Sequence, residues 1–283
     1  MSNNPTLPDN LRCMGAICGD VIGSHYEFHR IKRKNFPLFP KSARPTDDSV
    51  MTVANMLWLT DPLQHPLVNC MHLLGRRYPQ AGYGKKFSTW LALGDTQPYS
   101  SYGNGSAMRV SPVAWIGQSL EDVLELARQS AAVTHNHPEG IKGAQATATA
   151  IFLARTGHSK EDIRYHIERN FHYNLSRLLD DIRPSYGFHS SCQDSVPEAI
   201  ICFLEGTDYE DTVRNAVSLG GDADTQAAIA GAIAEAFYNG VPDNILAQTW
   251  QLLPHDMQDI ILRFSNMIGP KSGSQTERAV IIG

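Results

Sequence analysis

Apolar residues recur at three- and four-residue intervals along most of the chain, the spacing that builds one face of an α-helix. The stretch from Leu11 to His25 is apolar and rich in small residues. Ser49 to Leu59 continues the pattern behind a polar cap region of Thr46, Asp47 and Asp48. Ser119 is placed as an N-cap; Glu121 and Asp122 then occupy a first turn whose free N–H groups favour negative charge, and the helix runs towards Ala132. Gly143 to Arg155 is an Ala/Thr-rich helix, and Ser159 and Asp162 form a capping-box-like pair opening Lys160 to Asn170. Pro197 suits a first helical position, where a missing N–H costs nothing, and leads Glu198 to Leu204. Val110 to Ile116, Asp208 to Ser218, Asp224 to Tyr238, Asn244 to Leu253 and His255 to Phe264 complete the set. No run of β-branched residues alternates with period two, and Asn104-Gly105 lies among glycine and small residues rather than between strand-like runs. The pattern predicts an all-α fold. Nothing marks an internal boundary, so one domain is expected over residues 11–268, with flexible termini at 1–10 and 269–283.

A hydrophobic share of 42% with 19% charged residues is that of a globular protein and excludes a disordered or fibrous chain. The formal charge of −5 offers phosphate backbones no general attraction, so bulk nucleic-acid binding is not expected, although a modified base stays open as a substrate. Cys13, Cys18, Cys70, Cys192 and Cys202 form no C-x-x-C pair and sit mostly among apolar residues, which favours free thiols in a reducing compartment. The polar start Met1-Ser2-Asn3-Asn4-Pro5 does not read as a signal peptide, and no apolar run approaches the ~20 residues a membrane helix requires. A cytoplasmic monomer without membrane contact is the expectation.

Candidate chemistry concentrates in Thr46-Asp47-Asp48-Ser49 and Gly220-Gly221-Asp222-Ala223-Asp224-Thr225. Each segment sets two carboxylates and a hydroxyl at the first turn of an apolar helix, where capping alone explains acidic residues about as well as ligand binding does. Together they are harder to explain as caps. The helices behind them are apolar or Ala-rich on nearly all sides, which implies burial, and buried carboxylates need a partner to offset desolvation. No run of Lys or Arg lies nearby in sequence. Four carboxylates and two threonine hydroxyls make an all-oxygen set, suited to Mg²⁺ or Mn²⁺ and not to zinc. Two such ions ~3.5–4 Å apart would activate a water between them. Glycines ahead of Asp222 allow a sharp turn, and Ala223, Ala227, Ala228, Ala230, Gly231 and Ala234 leave room for close helix–helix approach.

Five ordered blocks then resemble the ADP-ribosylglycohydrolase family, which includes dinitrogenase-reductase-activating glycohydrolases and ADP-ribosyl-acceptor hydrolases. They are Gly15 to Phe28, Thr46 to Ser49, Gly103 to Arg109, Thr134-His135 and Ser218 to Thr225, and the resemblance runs from about Leu11 to Phe264. It implies a single-domain orthogonal multi-helix bundle with two Mg²⁺ or Mn²⁺ ions at the base of an ADP-ribose cleft. The match carries metal-ligand roles onto Thr46, Asp47, Asp48, Asp222, Asp224 and Thr225, and catalytic roles onto Glu27, Asp47 and Asp48. Substrate contacts fall on Gly103, Asn104, Gly105, Ser106 and His135; Asn104 is able to take a positive φ and to bond a sugar. His135, His137 and Glu139 are not read as a metal site, because histidines two apart beside a proline do not share a helix face.

Several neighbours stay open. Tyr99 and Tyr102 suit adenine stacking or ordinary packing, Asp20 suits a brace or a place near the metals, and Arg109 suits a phosphate contact or, as the preferred expectation, a structural ion pair. The basic stretch Arg30 to Lys34 is read as a solvated loop. The implied reaction is hydrolysis of the glycosidic bond between ADP-ribose and a modified acceptor, whether protein, nucleic-acid base or small molecule. The alternatives are a metal-dependent phosphohydrolase of a nucleotide-type substrate and a non-catalytic ADP-ribose binder. Loops Glu27 to Arg44 and Tyr173 to Asp194 are expected to set acceptor specificity.

Overall fold

The computed structural model describes residues 7–8 and 10–269, so most of the termini expected to be flexible lie outside the described residues. Among the described residues the chain forms fifteen helices and no strand; Gly103 and Ser191 make one isolated antiparallel bridge. In order these are α1 (Gly15–Gly23), α2 (Asp47–Thr60), α3 (Leu67–Arg77), α4 (Lys85–Leu93), α5 (Gly105–Met108), α6 (Ser111–Ile116), α7 (Leu120–Ala132) and α8 (Pro138–Arg155). They continue as α9 (Lys160–Phe171), α10 (Leu179–Ile182), α11 (Cys192–Glu205), α12 (Tyr209–Ser218), α13 (Ala223–Tyr238), α14 (Asp243–Leu252) and α15 (His255–Met267).

Local signals place most helix starts. The Ser119 hydroxyl accepts the Asp122 N–H at 3.1 Å while Asp122 accepts that of Ser119 at 3.2 Å, and Ser159 with Asp162 repeats the exchange at the head of α9. Pro197 corrects one expectation: it lies inside α11, which already begins at Cys192 behind the Ser191 cap. The first helix is also shorter than its apolar stretch. Cys13 is left-handed, with φ 59°, and a right-handed helix cannot run through it, so α1 begins at Gly15. Helices α3 and α4 were not anticipated, although Leu67, Cys70, Met71 and Leu74 on the buried face of α3 carry a readable helical spacing.

The centre of the molecule is α13, buried from Ala223 to Ala236. It packs antiparallel to α1 along a seam of small residues. Gly15, Gly19 and Gly23 recur every four residues and share one face of α1. A Cβ on Gly19 would stand 2.1 Å from the Ala227 carbonyl oxygen, one on Gly23 2.5 Å from that of Ala223, and one on Gly15 2.4 Å from that of Gly231. The two backbones therefore touch where side chains would otherwise separate them. Glu235 on α13 locks the seam at the other end: its carboxylate accepts the N–H of Met14 at 3.1 Å and of Gly15 at 2.6 Å, capping a helix that has no side-chain cap of its own. Close contact along this seam brings Asp20 of α1 beside the start of α13.

Candidate active site

A cleft of about 370 Å³ opens where the heads of α2 and α13 meet. Its floor carries Asp47, Asp48, Asp222, Asp224 and Thr225; Glu27 stands at the loop after α1, and Gly103, Asn104, Gly105 and His135 form one wall. Two residues expected to face the ligand do not line this cleft. The Ser106 hydroxyl donates to the Gly140 carbonyl at 2.7 Å, and the Thr46 hydroxyl donates to Asp20 Oδ1 at 2.6 Å.

Capping accounts for little of the acidic set. At α2 the cap is Thr46, whose Oγ1 accepts the Asp48 N–H at 3.4 Å. At α13 the N-cap residue Asp222 makes no capping bond to a main-chain N–H; its Oδ2 accepts from Asn104 Nδ2 at 2.8 Å instead. Asn104 has φ −68°, so the expected positive φ is absent, and its amide serves Asp222. Gly220, by contrast, does take the left-handed conformation (φ 65°) that turns the chain towards α13. Asp20 is resolved as a brace. Its carboxylate accepts the Thr46 N–H at 2.9 Å, the Ser49 N–H at 3.0 Å and both their hydroxyls, satisfying the first turn of α2 from a different helix.

The carboxylates converge in two triads that share one member. Asp20, Asp48 and Asp224 each offer an oxygen within 4.8 Å of the others, and so do Glu27, Asp222 and Asp224. Thr225 joins the two helix heads by donating to Asp48 Oδ2 at 3.3 Å. Asp47 belongs to neither triad and lies at the edge of the floor, beside Gly82. No ion pair among the described residues involves any of these aspartates or Glu27. Burial, followed by repulsion from neighbouring aspartates, therefore pushes the Asp47, Asp48 and Asp224 carboxyls well up. Burial raises Asp222 to about 6, held back by its hydrogen bonds, and raises Glu27 to about 7 with Asp224 adding and Arg44 opposing. Asp48 Oδ1 is buried with no hydrogen-bond partner.

The opposite wall is shaped by absent side chains. A Cβ on Gly105 would stand 3.1 Å from His135 Nε2, and one on Gly103 3.6 Å, so glycine keeps this nitrogen open to the cleft. His135 Nδ1 meets the Thr134 hydroxyl at 2.7 Å. Burial, then Arg109 and Lys86, hold the imidazole well below its ordinary pKa, and it is neutral. Arg109 corrects the expectation of an ion pair: its buried Nη2 donates to the Ser130 carbonyl and the Thr134 hydroxyl, each at 2.9 Å. His137 caps α8 through Nδ1 and Glu139 pairs with Lys142, so neither joins a metal site. Tyr99 lines the cleft, whereas Tyr102 is half exposed and packs edge-on to His137.

Lys85, Lys86, Phe87 and Met51 also line the cleft and were not anticipated; Phe188 and Ser190 line it from the Tyr173–Asp194 loop, which the sequence singled out without naming either residue. The two lysines follow Gly84 at the head of α4, and recognising that helix would have flagged them. Phe188 carried no signal, since a lone aromatic in a loop has no period. The basic stretch Arg30 to Lys34 is solvated, with Arg30, Lys32 and Arg33 exposed, yet it is also anchored: Lys32 donates to three main-chain carbonyls and Lys34 pairs with Asp211.

An all-α enclosure with clustered carboxylates on the cleft floor and an open glycine turn on one wall is the frame of a helical, carboxylate-centred hydrolase. The chain belongs to the ADP-ribosylglycohydrolase family, whose model matches residues 12–272, and is an enzyme of the ADP-ribosyl hydrolase class. It is similar to the mouse ADP-ribosylhydrolase ARH3, at 30% identity over 79% of this chain and 82% of the relative, and to the human ADP-ribosylhydrolase ARH3, at 29% identity over 79% and 83%. Half of the chain is 28% identical to 41% of the ADP-ribosylarginine hydrolase Tri1 of Pseudomonas putida. A solved structure described as an ADP-ribosylglycohydrolase-related protein complex superimposes with a TM-score of 0.65 over 92% of this chain and 99% of its own, at 23% identity, which shows the shared fold. Among the described residues no helix is long and apolar enough to cross a membrane.

Proposed function

We propose that this chain, acting as one domain over residues 11–268, hydrolyses the glycosidic bond that joins ADP-ribose to a modified acceptor, with Mg²⁺ or Mn²⁺ at the carboxylate floor. The observation that carries the reading is the pair of triads sharing Asp224, in one of which Asp48 also keeps a buried, unpartnered Oδ1. The donor set fits hard cations, because it is all oxygen, predominantly anionic and matched by no lysine or arginine pair among the described residues. Asp47, Asp48, Asp222, Asp224 and Thr225 would hold them from the cleft, and Thr46, whose hydroxyl proton goes to Asp20, would offer an oxygen lone pair from behind it. When bound, such ions supply Lewis acidity and positive charge beside the reacting sugar.

The chain's own groups perform the remainder. Gly103 and Gly105 leave His135 Nε2 facing the cleft, and with Lys86 it binds the diphosphate. Tyr99 offers a stacking face for the base. At the floor, Glu27 or Asp47 orients water and takes its proton as the water oxygen attacks the anomeric carbon. The bond from that carbon to the acceptor heteroatom breaks, and the acceptor leaves with a proton. Neighbouring carboxylates favour the positive charge that develops on the ribose.

Incubating the protein and Mn²⁺ with ADP-ribosylated arginine and serine peptides, and identifying the product, tests the reading. Free ADP-ribose is expected, with release reduced at least ~10³-fold in Asp48→Ala and Asp224→Ala. AMP with ribose phosphate would instead mean pyrophosphate cleavage, and binding without turnover would mean a non-catalytic binder.

A further inference from the structure

The acceptor side of the cleft is bounded by three segments distant in sequence: the loop after α1 that carries Glu27, the segment from Arg183 to Ser190 that carries Phe188, and the turn Leu219 to Asp222. One side chain reaches all of them. The Lys32 ammonium donates to the carbonyls of Arg183 at 2.7 Å, Tyr186 at 2.5 Å and Leu219 at 2.5 Å. An ammonium has three protons, and each finds a carbonyl. The stem lies along Gly220, where a Cβ would stand 3.1 Å from Lys32 Cε and 2.9 Å from the Ile31 carbonyl oxygen. Next to it the Arg30 guanidinium sits 5.2 Å from the centroid of the Phe188 ring, a second link between the same two loops.

We propose that Lys32 is a positioning residue that assembles the acceptor wall and sets the turn from which Asp222 reaches the floor. The inference rests on the reaction proposed above. Three carbonyls pointing at one another repel without a cation, so removal of the ammonium lets the Arg183–Ser190 segment and the Leu219 turn move apart. The wall from Gly103 to His135 receives no bond from Lys32; it is tied to the far end of the Arg183–Ser190 segment by main-chain bonds, the Ser190 carbonyl accepting the Asn104 N–H at 2.8 Å beside the Gly103–Ser191 bridge. Those bonds do not depend on the ammonium, so its loss disturbs catalysis and acceptor placement more than it disturbs the ADP-ribose wall.

Lys32→Met keeps the stem and removes the charge; Lys32→Arg restores a cation with several donors. With Mn²⁺ present, Lys32→Met is expected to lower kcat/KM for an ADP-ribosylated peptide at least ~30-fold, to leave the Kd of free ADP-ribose within about threefold, and to be partly rescued in Lys32→Arg. Wild-type turnover is measured first; its absence counts against the proposed reaction and not against the role of Lys32, for which the separate Kd series and crystal structures of both variants then provide the test. Unchanged kcat/KM in Lys32→Met, or an equal loss in peptide turnover and ADP-ribose binding, overturns the proposal. So does loss of the fold in both Lys32→Met and the polar variant Lys32→Gln, which would make Lys32 a folding residue.

Discussion

At the head of α2 the acidic segment is held by a dense, ligand-independent scaffold: Asp20 reaches over from α1 and accepts both amides and both hydroxyls of Thr46 and Ser49. The head of α13 carries the same residue types and lacks such a frame. There Asp222 leans on one amide from Asn104, the backbone turns through a left-handed glycine, and the carbonyl of Leu219 is steadied by Lys32. Similar motifs have thus been given different mechanical support. The α2 half is built with the core, and the α13 half is positioned by loops that also bound the cleft.

That contrast can be broken most severely at the seam beneath both halves. Gly19→Leu drives a side chain into the Ala227 backbone, 2.1 Å from the would-be Cβ, where no rotamer relieves the clash. A loss of well over ~3 kcal/mol in urea unfolding is expected, and a native melting curve would refute the seam as the organiser of the site. Next in size is the difference between the two supports. Asp20→Ala leaves several buried donors unsatisfied and is expected to cost about 3 kcal/mol, whereas Asn104→Ala costs under ~1 kcal/mol yet lowers turnover at least ~10-fold. Equal effects on stability would show that the halves are supported alike.

A smaller effect comes from the far end of the seam, and it is read against pH. Burial pushes the Glu235 carboxyl from its ordinary 4.5 up to about 7, with the N–H groups of Gly15 and Met14 opposing. A carboxyl with a folded pKa above its unfolded value contributes fully below pH 4.5, and that contribution is lost as pH rises through about 7. Wild-type protein is therefore expected to lose about 2 kcal/mol more than Glu235→Gln between pH 5 and pH 8. Measuring both unfolding curves with saturating Mn²⁺ keeps the cleft carboxylates in one state; parallel curves would show that Glu235 does not titrate in this window.

Much of this molecule is legible in its sequence. The capping boxes at Ser119 and Ser159 are contacts across three residues, which spacing alone reveals. Acidic helix heads stood out because their carboxylates and hydroxyls are contiguous, and the small residues of α13 announced close packing. Contacts that span the chain are another matter. Asn104 lines the cleft, and one proton of its amide goes to Asp222, far along the chain. Ser106 sits inside a recognisable ligand loop and turns its hydroxyl to Gly140. Arg109 was expected beside a carboxylate and found a carbonyl and a hydroxyl instead.

Composition and periodicity were enough to establish the helices, the kind of cation the acidic residues suit and the small-residue faces that permit close approach, since each depends on neighbours within a turn or two. Which carboxylate braces and which stays unpartnered, how Lys32 joins three loops, and where Phe188 and the lysines of α4 stand were settled by folding. Those arrangements are contacts between residues scores of positions apart, and a chain's local pattern holds no record of the partner it will meet once its backbones close to within a few ångströms.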